Sequence, residues 1–269
     1  KTLTKLLTVG VRANDPSVGI TRRFTLDPGQ TFTLDGQALA GLRPDSAEVI
    51  VSAGPLARLD APALLATLNR YPYGCTEQVT SKAMPLLYLS SVAEAMGLGQ
   101  RATIQLRVNQ AITRILTRQS SNGAFGLWYP SSGDFWLDAY VGDFLSRARA
   151  EGHDVPQLAY RMAMDNLRNR VNYAPDFDDG GEDIAYALYV LARNGRASMG
   201  DLRYYLDAKL QNFATPLAKA QVAAGLALYG ERDRAATGFR AALAALPKEA
   251  PKYYRDDYGS VLRDSAGVT

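Results

Sequence analysis

Tyr71-Pro72-Tyr73-Gly74-Cys75-Thr76-Glu77-Gln78 marks the point beyond which helical periodicity dominates the chain. Well before it, Phe24-Thr25-Leu26 and Thr31-Phe32-Thr33-Leu34 flank Asp27-Pro28-Gly29, which predicts two strands joined by a turn. Glu48-Val49-Ile50-Val51 predicts a third strand. We therefore expect residues 1–57 to form a β-rich segment.

Beyond Gly74 the apolar residues recur with helical spacing almost to the end of the chain. Several of these segments are rich in alanine, end at glycine and come in pairs. Paired helices joined by turns of variable length are typical of helix-hairpin repeats, in either an α/α toroid or an open solenoid. The predicted helices are 79–97, 101–119, 136–151, 156–170, 182–194, 199–213, 216–230 and 232–246.

The single cysteine of the chain, Cys75, lies three positions before Gln78. If a helix begins near Gly74, this spacing places both side chains on one helix face with Cβ atoms roughly 5–6 Å apart. Loss of ammonia between the thiol and the carboxamide would then leave an internal thioester, which is an activated acyl group. The alternative is that Cys75 is a small buried side chain, the commoner environment of a free cysteine.

Composition indicates an ordinary soluble protein, with 47% hydrophobic and 21% charged residues. The 30 basic and 27 acidic residues are spread along the chain, so no basic patch predicts a nucleic-acid partner. One cysteine excludes an intrachain disulfide and a cysteine-rich metal site. No apolar run approaches the ~18 residues of a membrane helix. Because the chain starts without Met and stops within a helical pattern, we interpret it as a segment of a longer protein.

Several motifs resemble one protein family. The stretch Tyr73 to Gln78 resembles the Gly-Cys-x-Glu-Gln thioester signature of the α2-macroglobulin and complement family, and the preceding residues 69–72 resemble its bacterial branch. Gly123-Ala124-Phe125 with Trp128, then Trp136-Leu137-Asp138-Ala139-Tyr140-Val141, are similar to the Gly-x-Phe and Trp-Leu-Thr-Ala-Tyr-Val patterns downstream. Residues 257–264 also resemble the bacterial branch, so the resemblance covers most of residues 24–269.

The resemblance implies a mainly α fold. The expected fold is an α/α toroid of helical hairpins inserted through a β-rich CUB-like domain. Residues 1–57 would be part of the CUB-like domain, and residues 58–269 would be the toroid, cut short at its C-terminus.

The resemblance also implies a broad-spectrum protease inhibitor. A protease cuts a bait region elsewhere in the parent protein, and the thioester is uncovered. A lysine amine of the protease then takes the acyl group of Gln78, while Cys75 leaves as a thiolate. Such a trap acts once, so it is not an enzyme, and it needs no cofactor or metal. Its partners would be proteases and the other domains of the parent chain, a periplasmic protein anchored at the inner membrane as a lipoprotein.

A thioester must be kept from water until its target arrives, so we expect aromatic side chains to screen it. Each such side chain has ordinary core packing as its alternative. Gly74 would allow a tight entry into the helix, and Glu77 would face away from Cys75 and stabilise the helix N-terminus. The aromatic candidates are Tyr71, Tyr73, Trp128, Tyr129, Trp136 and Tyr140.

Some complement-type members use a downstream histidine to direct the thioester to hydroxyl groups. The only histidine here, His153, lies in a turn between predicted helices, so we expect no such assistance and a preference for amines. Two other functions are considered. A cysteine hydrolase would use Cys75 with His153, and a helical-repeat binding module would form no thioester and would expose an apolar groove.

An acidic segment follows the fourth predicted helix and invites three interpretations. It could hold the paired carboxylates of a glycoside hydrolase, bind a cation, or be a solvated loop that caps the next helix. We favour the capping loop because the ligand spacing of a calcium loop is missing. The residues concerned are Asp176, Asp178, Asp179, Glu182 and Asp183.

Overall fold

The computed structural model describes residues 4–6, 18–20, 22, 24–43, 46, 47, 49, 51, 53, 64, 65, 67, 68, 73–90, 100–246 and 257–269. Contacts divide the chain into two units, Lys1–Val49 and Ile50–Thr269. The described residues of the candidate site all belong to the second unit. The predicted domain boundary at 57/58 lies outside the described residues and stays a prediction.

The described residues of the first unit form a turn and a short 3-10 helix. The Gln30 N–H donates to the Asp27 carbonyl at 3.0 Å, and the rings of Phe24 and Phe32 lie 4.5 Å apart. The 3-10 helix Gly36–Leu39 follows, and the Asp35 side chain caps it. The predicted turn is therefore present.

The strands predicted around that turn are not formed in the described residues 24–43. Residues 24–34 are all exposed, and a hairpin with neither face covered is marginally stable. The third predicted strand, 48–51, lies partly outside the described residues, and Val49 and Val51 are not in a strand. The β-rich character expected for residues 1–57 is thus missing from the part of it that can be described.

The described part of the second unit is α-helical. Side chains at the N-caps Asp134, Ser198, Thr215 and Ser260 accept hydrogen bonds from the third amide of their helices, which fixes where these helices begin. From residue 101 onward the predicted helices are confirmed, with ends that differ by a few residues. The helices are α1 (Thr76–Ala83), α2 (Arg101–Leu116), α3 (Phe135–Ala150), α4 (Gln157–Asn172), α5 (Glu182–Arg193), α6 (Met199–Lys209), α7 (Pro216–Leu228), α8 (Arg232–Ala244) and α9 (Val261–Val268).

The helix predicted at 79–97 differs from the structure. Helix α1 begins at Thr76 and ends at Ala83, where a 3-10 turn, Met84–Leu87, takes over. Pro85 lacks an amide hydrogen, and its ring would collide with the carbonyl four residues earlier, so the α-helix cannot continue through it. Residues 91–99 lie outside the described part of the chain.

The helices pack in two layers. Helices α1, α3, α5 and α7 form a row in which each packs on the next, and α2, α4, α6 and α8 pack against this row. Small residues allow the close approach: a Cβ on Gly225 of α7 would lie 2.8 Å from Leu202 Cδ2 of α6, and one on Gly238 of α8 would lie 2.7 Å from Ala223 Cβ of α7. Glycine at these two positions therefore allows close packing between the two layers.

One hydrophobic core runs through the described helices, and its largest fully buried side chains include Phe125, Phe144 and Phe213. Phe125 belongs to the loop between α2 and α3, so that loop is anchored in the core. Among the helices of the described residues, none combines the length and the hydropathy needed to cross a bilayer.

Candidate functional site

Cys75 and Gln78 meet at the first turn of α1. Cys75 is the N-cap residue, with an extended backbone (φ −64°, ψ 168°), and Gln78 is the third residue of the helix. The Cys75 backbone N–H donates to Gln78 Oε1 at 3.2 Å, and the Cys75 thiol faces the Gln78 backbone N–H in return, which completes a capping box. Both side chains thus lie at the same helical turn.

The hydrogen bond from the Cys75 N–H affects the reactivity of the Gln78 carboxamide. The Cys75 N–H points at the oxygen of the carboxamide and thereby withdraws electron density from the carbon that a nucleophile would attack. The same oxygen would be the acyl oxygen of a thioester. Cys75 is only 7% exposed, whereas Gln78 is partly exposed, so the thiol is better shielded from bulk water than the carboxamide. The arrangement suits acyl transfer between the two side chains.

Thr76 ties the start of α1 to the loop between α2 and α3. Its N–H donates to the Leu127 carbonyl at 2.8 Å, and its Oγ1 donates to the Gly126 carbonyl at 2.5 Å. Thr76 is fully buried. The loop packs tightly at this point, since a Cβ on Gly126 would lie 2.0 Å from the Tyr129 carbonyl oxygen. The hexapeptide and the downstream Gly-x-Phe motif therefore form one structural unit.

Arg118 holds both residues that flank Cys75. Its Nη2 donates to the Gly74 carbonyl at 2.7 Å, and its Nη1 donates to Thr76 Oγ1 at 3.2 Å. Arg118 is 7% exposed. Burial lowers the pKa of Arg118, the positive charge of Arg114 lowers it further, and the Cys75 thiol acts in the opposite direction. The guanidinium and the thiol are therefore close enough to interact electrostatically.

The guanidinium of Arg114 lies against Gly74. A Cβ on Gly74 would lie 2.4 Å from Nη2 of Arg114, so a side chain at this position would displace the exposed Arg114 guanidinium. The backbone of Gly74 has no positive φ that would demand glycine. Lys82 adds a third cation, with Nζ 3.4 Å from the Tyr73 carbonyl oxygen. Positive groups thus surround the backbone that leads into Cys75.

Asp138 of α3 anchors the loop that binds Thr76. Its Oδ1 accepts from the Phe125 N–H at 2.7 Å, and its Oδ2 accepts from Asn166 Nδ2 at 2.9 Å and from Arg170 Nη1 at 3.3 Å. Asp138 is 1% exposed. Burial raises its pKa to about 6, against the opposing effects of these hydrogen bonds and of the Arg170 charge. The position of α1 therefore depends on a deeply buried carboxyl group.

The aromatic candidates do not form one screen around Cys75. Three of them are more than half exposed, namely Tyr73, Trp128 and Tyr129. Trp136 and Tyr140 instead stack with ring centroids 4.9 Å apart, and Trp136 also contacts Tyr186 and Tyr258. Tyr71 lies outside the described residues. The described aromatic residues therefore split into a surface group and a clustered group.

The clustered group lines a cavity of about 440 Å³ on the side of α1 where Glu77 lies. Ser81 Oγ donates to Glu77 Oε1 at 2.6 Å and lies 3.0 Å from the Tyr140 hydroxyl. Burial raises the pKa of Tyr140 to about 12, so the hydroxyl stays protonated at neutral pH. Glu77 thus interacts within this network, and no described hydrogen bond joins it to Cys75.

Neither His153 nor the acidic segment adds groups to the Cys75 turn. His153 Nδ1 lies 2.9 Å from Asn109 Oδ1, and no described hydrogen bond joins His153 to Cys75 or Gln78. Asp176 pairs with Lys209, while Glu182 and Asp183 lie in the first turn of α5. No group of three His, Cys, Asp or Glu side chains in the described residues could hold a metal ion. The acidic segment matches the capping-loop interpretation.

Sequence reasoning missed Arg118 and Thr76 and assigned Asp138 no role. Arg118 is one of many arginines, and nothing in its neighbourhood distinguishes it from those on the surface. Asp138 offered one signal, since it stands where the family pattern Trp-Leu-Thr-Ala-Tyr-Val has threonine. An acidic residue at a position that helical periodicity buries calls for a partner.

Comparison with known proteins identifies the class to which this site belongs. Residues 47–173 match the family model described as the A-macroglobulin TED domain. The chain is 31% identical to the alpha-2-macroglobulin of Escherichia coli K12, and the match covers 96% of this chain and 16% of that protein. It is 29% identical to the alpha-2-macroglobulin of Xylella fastidiosa Temecula1, over 95% of this chain and 16% of that protein.

Solved structures agree with the sequence matches. The native Escherichia coli alpha-2-macroglobulin from domain MG7 to the C-terminus superposes with a TM-score of 0.68 at 32% identity, covering 77% of this chain and 34% of that one. Salmonella alpha-2-macroglobulin reacted with methylamine gives a TM-score of 0.70 at 31% identity, over 78% and 14%. The chain belongs to the α2-macroglobulin family by its thioester-type helical domain. It is homologous to part of the bacterial alpha-2-macroglobulins, and spans 16% of the length of the curated relatives named above.

Proposed function

We propose that the chain supplies the reactive domain of a bacterial α2-macroglobulin-like protease inhibitor, in which Cys75 and Gln78 form an internal thioester that captures attacking proteases. The capping box at the start of α1 carries this proposal, because each of the two side chains faces the backbone N–H of the other residue, which holds the thiol and the carboxamide at the same helical turn. The homology to bacterial alpha-2-macroglobulins supports it.

The two steps of the reaction use only these side chains. In the first, the Cys75 thiolate attacks the side-chain carbonyl carbon of Gln78, the carbon–nitrogen bond breaks, and ammonia leaves with the proton of the thiol. In the second, a neutral amine attacks the same carbon, the carbon–sulfur bond breaks, and the amine proton is released as Cys75 leaves as a thiolate. The target becomes an amide of Gln78, and the domain is consumed in a single turnover.

The relatives support proteases as partners, and the location is inferred from the resemblance to the bacterial branch of the family. Solved structures of the Escherichia coli protein are described as activated by trypsin and by porcine elastase. We infer that proteases are the targets, that their lysine amines take the acyl group, and that cleavage of a bait region in the parent chain is the trigger. The parent protein would be a periplasmic lipoprotein of the inner membrane, without a cofactor or metal at this site.

The exposed aromatic residues support a role for the remaining domains. Tyr73 is 62% exposed and Trp128 is 58% exposed, although both lie on segments that contact the Cys75 turn. We infer that other domains of the parent chain cover them and, together with Tyr71, complete the screen against water. In the same proposal the paired helices form an α/α toroid, and residues 1–57 are part of a CUB-like domain.

Intact mass spectrometry of the parent protein tests the thioester. We expect the native protein to be one ammonia lighter than its encoded mass, and methylamine to add covalently at Gln78 while it releases the Cys75 thiol. Peptide mapping locates both changes. The Cys75→Ala variant is the control: it should show the full encoded mass and take up no methylamine.

The same measurement separates the alternatives. A cysteine hydrolase would have the full mass and a thiol that alkylating reagents modify without prior methylamine treatment. A helical-repeat binding module would have the full mass and would show no methylamine at Gln78. Either result in freshly prepared, uncleaved parent protein would contradict the thioester.

A further inference from the structure

Arg118 is a buried cation without a buried anion. Its side chain donates to one carbonyl and one hydroxyl, and no carboxylate among the residues that the structure describes pairs with it. A charged side chain that is only 7% exposed destabilises the folded state unless an opposite charge lies near it. The arrangement therefore contains a positive charge whose partner is not a permanent anion.

The position of Arg118 shows which group can become that partner. One nitrogen of the guanidinium binds the Gly74 carbonyl and the other binds Thr76 Oγ1. The guanidinium therefore bridges the two residues on either side of Cys75. Its own backbone is fixed as well, because the Arg118 carbonyl accepts from the Gly126 N–H at 3.2 Å. In the proposed reaction Cys75 passes between a thiol and a thiolate, whereas Glu77 of the same turn hydrogen-bonds Ser81 on the side of the aromatic cluster.

Two further features of the turn favour an anion on Cys75. The thiol lies at the N-terminus of α1, where the helix dipole stabilises negative charge. Arg114 lies over Gly74 and adds a second positive charge close to Arg118. Because Arg114 is exposed and Arg118 is buried, solvent screens the first charge far more than the second.

We propose that Arg118 is a positioning residue for acyl transfer, which orients the Cys75 turn and stabilises the Cys75 thiolate. This inference rests on the proposed function and names the residue that assists it. The thiolate is the attacking group when the thioester forms and the leaving group when an amine opens it. One buried guanidinium therefore assists both steps without touching the amine.

The test measures the pH dependence of Cys75 alkylation in the parent protein after methylamine treatment, read from the peptide that contains Cys75. An ordinary cysteine has a thiol pKa of about 8.5. We expect the Arg118→Met variant to shift the midpoint upward from the wild-type value by about one pH unit. Below the midpoint, the alkylation rate of Arg118→Met should be about threefold lower than that of the wild type. The thiolate fraction falls about tenfold, but the more basic thiolate is a better nucleophile and recovers part of the loss.

Two variants separate charge from structure. Arg118→Lys keeps the charge but not the two-pronged contact, so its midpoint should stay near that of the wild type. Arg118→Gln removes the charge but keeps an amide donor, so its midpoint should rise as in Arg118→Met, and it serves if Arg118→Met does not fold. Arg168→Met is the matched control, since Arg168 pairs with Asp165 on the surface of α4; it should leave the midpoint unchanged.

The alkylation test of Arg118 does not depend on whether the thioester forms. The alkylation profile needs only a free Cys75 thiol, which is present whether methylamine opened a thioester or none had formed. A midpoint that is the same in the wild type, Arg118→Met and Arg118→Gln would overturn the role of Arg118 and leave the proposed function intact. A midpoint that rises equally in Arg118→Lys would show a purely structural role and would equally overturn it.

Discussion

The arginines around Asp143 have a carboxylate partner, whereas the buried arginine at the Cys75 turn has none in the described part of the chain. Asp143 of α3 accepts from Arg147 at 2.8 Å, from Arg193 at 2.7 Å and from the Tyr186 hydroxyl at 3.0 Å. Arg118, at the Cys75 turn, is more deeply buried than either of those arginines and has no carboxylate partner in the described part of the chain.

The difference separates a structural network from a reactive one. At Asp143 both arginines share one permanent carboxylate partner, and the Arg193 bond joins α5 to α3. Arg118 donates hydrogen bonds to two acceptors but has no carboxylate partner in the described residues. The electric field at this turn therefore depends on whether Cys75 is a thiol or a thiolate. We interpret the first network as a contribution to stability and the second as a contribution to chemistry.

The largest loss of stability is expected when the hydrogen bonds to Asp143 are broken. Asp143→Ala leaves two arginines and one tyrosine hydroxyl without their acceptor, which should destabilise the packing of α3 on α5 by about 3 kcal/mol. Hydrogen exchange of the α3 and α5 amides in the intact protein measures this loss. The Cys75 alkylation midpoint should not change, and a shift as large as that of Arg118→Met would remove the distinction between the two networks.

A smaller effect is expected at Asp138, which links the helical body to the Cys75 turn. Asp138→Asn replaces an acceptor with a donor that faces the Phe125 amide, Asn166 or Arg170, and should cost about 1–3 kcal/mol. The loop at residues 125–127 should then open more often and shorten the lifetime of the thioester. Hydrogen exchange of these amides and the rate of spontaneous thioester hydrolysis measure the two effects.

Asp138 also predicts a pH dependence with a definite sign. Its pKa in the folded protein is about 6, above the ordinary value of 3.8, so the folded state holds the proton more tightly than the unfolded state. The Asp138 contribution to stability therefore decreases as pH rises from about 4 to about 6 and then levels off. Asp138→Asn should lack this slope, and a slope that persists unchanged in the variant would assign it to other groups.

The smallest effect is expected at His153. Its ring contacts Asn109, and burial lowers its pKa, so it is neutral at physiological pH and makes no described contact with the Cys75 turn. His153→Ala should cost less than about 1 kcal/mol and leave the rate of methylamine incorporation unchanged. A large fall in that rate would mean that the histidine assists the reaction.

The helical body could be predicted from the sequence because its signals are local. Apolar spacing located the helices from residue 101 onward, and the alanine-rich segments that end at glycine indicated paired helices. The approach of Cys75 to Gln78 was also predictable, since a separation of three residues at a helix start fixes it. Helix α1 was predicted to run past Pro85, although the missing amide hydrogen of proline was visible in the sequence.

The aromatic screen could not be predicted in the same way. Trp136 and Tyr140 were expected near the thiol, but helix α3 directs them into the cluster with Tyr186 and Tyr258. The strands predicted near Phe24 and Phe32 are missing because strand formation depends on partners at other positions of the fold. In both cases the outcome depended on neighbours that are distant in sequence.

The sequence by itself determined which two side chains share the first turn of α1, because the Cys75 to Gln78 spacing at a helix start leaves little freedom. Only the tertiary structure decided what surrounds them. Arg118 reaches the turn from the end of α2, and Asp138 reaches the supporting loop from α3, through contacts that no local pattern records. The physical reason is that helix geometry acts over four residues, whereas burial and charge pairing are set by the packing of the whole unit.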